Sequence, residues 1–121
     1  MPVSDRVSRY VEAALAALPR EYADRLENVE FVVERRVSPR TLRRFGMRHG
    51  SLYGLYEGIP LTRRGTAYTM VPPDKITIFW EPLVRDFSPD DLPAQVRKTV
   101  YHEIAHFFGI DDDALEDTSV E

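Results

Sequence analysis

The sequence predicts an α+β fold in which a small mixed β-sheet packs against an N-terminal helix and a C-terminal helix. Apolar residues repeat at helical spacing over residues 5–18 and again over 93–108, which predicts two amphipathic helices. Three short segments between them are rich in β-branched and aromatic residues, as is typical of strands. With 121 residues, 43% of them hydrophobic, the chain can form one core, so we expect a single domain over residues 1–121.

The boundaries of these elements follow from local signals. Ser4 can cap the first helix, and Pro19 is expected to stop it near residue 18. The strands are predicted over residues 29–34, 52–57 and 76–80, and the first of them is expected in the body of the sheet. The predicted inward-facing residues are Val29, Phe31 and Val33 in the first strand and Ile76, Ile78 and Trp80 in the third.

Glycine and proline residues refine this outline. Gly54, inside the second strand, indicates that another backbone approaches closely, either a neighbouring helix or a bound peptide. Pro82 is expected to end the third strand. The last helix is expected to begin near Pro93, because proline cannot lie deep inside a helix.

The connections between strands also carry signals. A short helix is predicted over residues 41–45, with its arginines on the outside. The long connection over residues 59–74 is rich in turn residues, and we expect it to form a wall or a lid of a cleft.

The last helix carries a candidate metal site. His102 and His106 are four residues apart, so their side chains stack about 6 Å apart along one helix face, which suits two imidazoles that bind one metal ion. Glu103 lies one step round the helix, where it can reach a water on the metal without binding the metal itself. Gly109 can end the helix in the left-handed conformation, and the reversed chain can then bring Asp112 to the metal as a third ligand.

The two histidines could instead have a buried structural role or lie on a merely solvated face. The apolar positions of the last helix form a stripe nearly opposite to His102 and His106, which disfavours the buried role. The stripe consists of Val96, Val100, Ile104, Phe107 and Phe108. Because the sequence contains no cysteine, a bound metal must use nitrogen and oxygen ligands, and no disulfide can form.

The pattern His-Glu-x-x-His-x-x-Gly-x-x-Asp resembles the zincin metallopeptidases, in particular the small bacterial "minimal" zincins whose active-site helix is followed by an aspartate ligand. Residues 52–62 and 75–79 look like strand segments of that family, and the resemblance covers most of the chain from about Asn28 onward. It differs from the metzincin branch, which would have a histidine in place of Asp112 and a methionine turn downstream. The resemblance implies the same α+β arrangement and bound Zn²⁺.

The function expected from this resemblance is that of a zinc metalloendopeptidase with a peptide or protein substrate. His102, His106 and Asp112 would hold zinc, and Glu103 would act as the general base toward a zinc-activated water. The alternative is a zinc-binding regulatory or interaction protein with little or no proteolytic activity, since so small a domain has few walls to clamp a substrate. A third hypothesis is a structural zinc domain, which would usually have four protein ligands.

The sequence leaves the group that stabilises an oxyanion open. The candidates are Tyr53, Tyr56, Tyr68 and Tyr101, which the sequence does not rank.

Charge and hydropathy limit the partners. The formal net charge of −4 argues against nucleic-acid binding, although the charges are unevenly distributed. The segment 35–48 holds six arginines and no acid, which indicates either a solvated face or a basic cleft rim for an anionic partner. The N-terminal apolar run is too short for a convincing signal peptide, and no stretch reaches the length of a membrane span. We therefore expect a cytoplasmic enzyme.

Overall fold

The computed structural model describes residues 2–45, 53–58 and 74–109, which form five helices and one three-stranded sheet. The helices are α1 (Val3–Ala16), α2 (Arg20–Ala23), α3 (Pro39–Phe45), α4 (Trp80–Asp86) and α5 (Leu92–Phe107). The strands are β1 (Val29–Glu34), β2 (Gly54–Glu57) and β3 (Asp74–Phe79). The predicted α+β fold with an N-terminal and a C-terminal helix is confirmed.

The sheet is mixed, and its described strands are ordered β1-β3-β2. β1 runs parallel to β3, with Val29 opposite Asp74, and β2 runs antiparallel to β3, with Gly54 opposite Ile78. Among the described strands, β3 is the central one and β1 pairs with β3 alone, so within these residues β1 does not take the place in the body of the sheet that the sequence predicts for it. The physical reason is composition: every residue of β3 except Lys75 is buried, whereas β1 contains two exposed glutamates.

The core lies between one face of the sheet and the helices α1 and α5. Its largest contributors are fully or almost fully buried: Val7, Val11, Tyr56, Ile76, Ile78, Leu83, Val96, Val100, Ile104 and Phe107. The three predicted inward residues of β1 pack against this core and are half-buried. The hydroxyl of Tyr101 donates a hydrogen bond to the Ala14 carbonyl at 3.0 Å, which ties α5 to α1. The helix that carries the candidate site is therefore fixed by the core itself.

The prediction for the end of the third strand is wrong. β3 ends at Phe79, and Trp80 is the first residue of α4 rather than an inward strand residue. Pro82 does not end the strand; it lies buried in the first turn of α4, where a helix does not need its missing N–H group. Leu83 then anchors α4 with a fully buried side chain. This short helix brings residues 85–87 close to the start of β2.

Smaller differences occur at the helix ends. α1 begins at Val3 after Pro2, so Ser4 lies inside the helix and makes no capping hydrogen bond. α5 begins at Leu92, with Pro93 as its second residue, close to the predicted start. The predicted loop over residues 59–74 lies, except for Asp74, outside the described residues.

Candidate metal centre

α5 presents two different faces. Val96, Val100, Ile104 and Phe107 are buried in the core, as the apolar stripe predicts. His102 and His106 are half-buried, so they face away from the densest part of the core. The apolar face of α5 therefore packs in the core, and a different face of the same helix carries both imidazoles.

The structure brings His102, Glu103 and His106 together. Each of these residues offers one possible ligand atom, which is a ring nitrogen in the histidines and a carboxylate oxygen in Glu103. The three atoms lie within 4.8 Å of one another. The two imidazole rings have centroids 5.0 Å apart and are inclined at 79°. Two imidazoles at this spacing suit zinc, which accepts nitrogen and oxygen ligands, and the chain has no cysteine that could supply a thiolate ligand instead. The residues present thus fit this metal.

Glu103 is completely buried beneath this face, and β2 explains how it is accommodated. A Cβ atom at Gly54 would lie 3.1 Å from Glu103 Cγ and 3.0 Å from Thr99 Cγ2. A side chain at position 54 would therefore require Thr99 or Glu103 to shift by a few tenths of an ångström. The close approach predicted at Gly54 is therefore that of a neighbouring helix, and it confines the Glu103 side chain.

The predicted left-handed conformation of Gly109 after the end of α5 is confirmed. Gly109 adopts the left-handed conformation with φ 85°, and its N–H donates a hydrogen bond to the His106 carbonyl at 2.9 Å. Gly109 follows His106 by three residues, so this turn lies at the same end of α5 as the imidazoles. Asp112, the predicted third ligand, lies outside the described residues.

The structure distinguishes the tyrosines that the sequence could not rank. The Tyr56 hydroxyl donates a buried hydrogen bond of 2.6 Å to Asp74, and the Tyr101 hydroxyl is bound to α1. Tyr68 lies outside the described residues. Tyr53 lines a cavity that His102 and Glu103 also line. Of the candidate tyrosines in the described ranges, Tyr53 is the one that shares this cavity with His102 and Glu103, although its hydroxyl donates a hydrogen bond to Asp86.

That cavity has a volume of about 390 Å³. Beside His102 and Glu103 it is lined by Tyr53, Phe87, Gln95, Lys98 and Thr99, and we call it the side pocket. The last four of these residues were not predicted as site residues. Gln95 and Thr99 each lie seven residues before a histidine, which places them on the same helix face, so helical spacing could have identified them. Phe87 could not be identified this way because only the fold brings it to α5.

A charged network fixes one wall of the side pocket. The Tyr53 hydroxyl donates a hydrogen bond to Asp86 at 2.7 Å, and Arg85 Nε donates another to the same carboxylate at 2.8 Å. The hydrogen bonds from Arg85 and then Tyr53 lower the pKa of Asp86 to about 2. The bond to Asp86 conversely raises the pKa of Tyr53, with a further contribution from burial. Asp86 is therefore ionised and Tyr53 neutral at physiological pH.

In its described part, the arginine-rich segment 35–48 does not line the side pocket. Arg35 and Arg36 are exposed and form ion pairs with Glu81 of α4. Among the cations of the described ranges, Lys98 lines the side pocket and no arginine does. The described part of the segment thus favours a solvated face over a basic rim at this pocket.

None of the helices in the described parts of the chain has the length and apolar character needed to cross a membrane.

Comparisons with known proteins agree with this geometry. A family model described as zincin-like metallopeptidase matches residues 26–120, which is most of the chain and includes α5. A search of the curated proteins found no match. The matched range contains the whole sheet and the histidine-glutamate-histidine cluster. We conclude that the chain belongs to the zincin-like metallopeptidase family.

Proposed function

We propose that the protein is a zinc-dependent endopeptidase in which Glu103 is the general base. The observation that carries this proposal is the cluster of His102, Glu103 and His106 on one face of α5, with ligand atoms within 4.8 Å. The family supports a metallopeptidase role. The metal, the mechanism and the cleavage of internal peptide bonds are our inference.

His102 and His106 would hold the zinc ion through neutral ring nitrogens. Asp112, three residues after Gly109 in the sequence, would complete the protein ligands with a carboxylate oxygen. Three protein ligands would leave one position open, which is the arrangement of catalytic rather than structural zinc sites. When bound, zinc would polarise a carbonyl group and lower the pKa of a water toward about 7.

Glu103 would move the proton in this reaction. It would accept the proton of the attacking water at a carboxylate oxygen and then donate it to the leaving amine. Its complete burial, with Gly54 close on one side, limits the positions that the carboxylate can take. A general base needs such fixed placement within hydrogen-bonding distance of the proton it accepts. A protein that only stores zinc would not require a buried carboxylate beside the ligands.

The test is Glu103→Gln in zinc-loaded protein, assayed on a mixed peptide library. The substitution preserves the size of the side chain but removes its ability to accept a proton. We expect zinc content and thermal stability to persist while hydrolysis falls by about 10² to 10⁴-fold. Glu12→Gln, the same chemical change at an exposed position of α1, is the matched control and should leave hydrolysis unchanged.

Cleavage that persists in Glu103→Gln would contradict the proposed mechanism and indicate a contaminating protease. Zinc-loaded wild-type protein that cleaves nothing in a broad library would favour the alternative, a zinc-binding regulatory or interaction protein.

A further inference from the structure

We propose that a polar pocket on the sheet face turned away from α5 binds a small zwitterion, of the class of free α-amino acids with an apolar side chain. The pocket lies between the sheet and the start of α3 and has a volume of about 250 Å³, and we call it the far-face pocket. The polar residues that line it are Glu34, Ser38, Thr41, Glu57, Lys75 and Thr77.

The alternation of side chains along β2 and β3 separates this pocket from the candidate metal centre. Gly54 and Tyr56 of β2 contact residues of α5, and Ile76 and Ile78 of β3 belong to the core. Residues at the intervening positions, such as Glu57, therefore point to the opposite face of the sheet. The far-face pocket shares no lining residue with the candidate metal centre, so this inference does not depend on the proposed peptidase function.

A buried hydroxyl group faces the far-face pocket. Thr77 of β3 lines the pocket and is only 2% exposed, and its hydroxyl forms no hydrogen bond with the described residues. Elsewhere in the lining, Ser38 donates a hydrogen bond to the Thr41 hydroxyl at 2.8 Å, so Thr41 keeps its own proton for another acceptor. Because a buried polar group is costly unless it is hydrogen-bonded, these hydroxyls favour a ligand that carries acceptor atoms.

The charges around the far-face pocket favour a ligand that carries both signs. The lining holds the Lys75 ammonium group and the carboxylates of Glu34 and Glu57, a formal charge of −1, and no arginine of the described ranges lines it. Lys75 Nζ lies 3.9 Å from Glu34 Oε1 in a long, partly exposed ion pair, whereas Glu57 forms no ion pair with the described residues. A simple anion would meet two carboxylates, and a simple cation would meet Lys75. A zwitterion satisfies both when its ammonium group lies at Glu57 and its carboxylate lies at Lys75.

The apolar part of the far-face pocket suits a hydrocarbon side chain. Leu55 and Phe79 line the pocket and are buried, and half-buried Val37 lines it as well. Their carbon surface stabilises an apolar group that leaves water. The volume of about 250 Å³ lies just below the range of about 300–1,000 Å³ that is common for drug-sized ligands, so it suits a smaller molecule such as one amino acid.

The test compares three probes that share the leucine skeleton but differ in charge. L-leucine carries an ammonium group and a carboxylate, L-leucinamide only the ammonium group, and N-acetyl-L-leucine only the carboxylate. Each is titrated into zinc-loaded protein, and the backbone amide resonances of Thr41, Thr77 and His102 are followed by NMR. We expect L-leucine to move the Thr41 and Thr77 resonances with a Kd in the millimolar range. Both other probes should bind at least about tenfold more weakly, because each lacks one of the two charged contacts.

The His102 resonance reports where a probe binds, because a free amino acid can also coordinate zinc. Shifts of His102 without shifts of Thr41 and Thr77 would place the ligand at the metal centre and overturn the proposal. Equal affinities of the three probes would overturn it as well, since neither charge of the zwitterion would then be recognised.

Two variants of the sheet provide a matched comparison. Glu57 and Glu30 are both paired with Lys75 in the strand register, but only Glu57 lines the far-face pocket. Glu57→Gln and Glu30→Gln each raise the formal net charge of −4 by one. We expect Glu57→Gln to weaken L-leucine binding by about tenfold, because the ammonium group loses its partner, and Glu30→Gln to stay within about twofold of wild type. Equal losses in both variants would show that general electrostatic attraction, not this pocket, holds the ligand, and would contradict the proposal.

Discussion

At the residue scale, the site depends on three side chains with different surroundings. His102 and His106 are half-buried and accessible from one side of α5, whereas Glu103 has no exposed surface. The i, i+4 spacing brings the imidazoles together, and the position of Glu103 between them in sequence directs it toward β2. The two proposed ligands and the proposed base lie within five consecutive residues, but they differ in burial.

Asp112 is the proposed third ligand, and its neighbours offer a direct comparison. Asp112→Ala should weaken zinc binding far more than Asp111→Ala or Asp113→Ala, because only the carboxylate at the correct spacing after Gly109 would complete the site. The measurement is a competitive zinc titration with a chromophoric chelator. Equal losses in the three variants would mean that the assignment of Asp112 is wrong.

The Asp86 network predicts a dependence of stability on pH. The pKa of Asp86 is about 2 in the folded protein, below the value of about 3.9 for an unperturbed aspartate. As the pH falls, Asp86 is therefore protonated at a higher pH in the unfolded chain than in the folded protein. The contribution of the ionised Asp86 carboxylate to the free energy of unfolding is complete above about pH 4 and is lost as the pH drops through about 2. Asp86→Asn should unfold at a lower temperature than wild type at neutral pH, and the difference should shrink toward pH 2.

Asp90→Asn, which changes an exposed carboxyl group in the loop after α4, serves as the control and should match wild type throughout. A wild-type advantage over Asp86→Asn that grows with acidification would contradict the assigned direction.

At the element scale, the contact between β2 and α5 confines Glu103, the proposed general base. Gly54→Ala would put a methyl group 3.0 to 3.1 Å from atoms of Thr99 and Glu103, both of which are buried. We expect a loss of about 1 to 3 kcal/mol in the free energy of unfolding, together with a reduced rate of hydrolysis because Glu103 is displaced. Chemical denaturation and peptide hydrolysis measure the two effects.

Glu57→Ala changes the same strand on the face that does not meet α5, and its effect should stay within about 0.5 kcal/mol. Unchanged hydrolysis in a stable Gly54→Ala variant would show that this contact does not position the base.

The elements also show what sequence patterns reveal. α1 and α5 were predictable because each has enough turns for a helical repeat to be recognised. α4 has only seven residues, and its start at Trp80 continues the alternation of β3 and so imitates a strand. Pro82 favoured the same wrong prediction of a strand that continues through Trp80, because proline often ends strands but is also accepted in the first turn of a helix.

At the scale of the whole molecule, the two histidines and Glu103 could be predicted as neighbours because they lie within one helix, where spacing determines proximity. The side pocket could not be predicted in full, since Tyr53 and Phe87 come from opposite sides of β3 in sequence and meet only in the fold. The order of the strands was equally hidden, because pairing between distant segments leaves no periodic signal.

The same helix forms the core and carries the site. α5 packs against α1 and the sheet through its apolar stripe, and the His102 and His106 face is oriented by that packing. The position of the imidazoles thus depends on the stability of the whole domain rather than on a surface loop.

The central claim is that α5 holds a zinc ion between His102 and His106. The most direct measurement is an anomalous difference map from crystals of the protein grown with zinc at neutral pH. We predict one peak about 2.0 to 2.1 Å from a ring nitrogen of each histidine, with a carboxylate oxygen of Asp112 at a similar distance. The absence of a peak between the two imidazoles, or a zinc ion bound elsewhere with both histidines unligated, would contradict this claim.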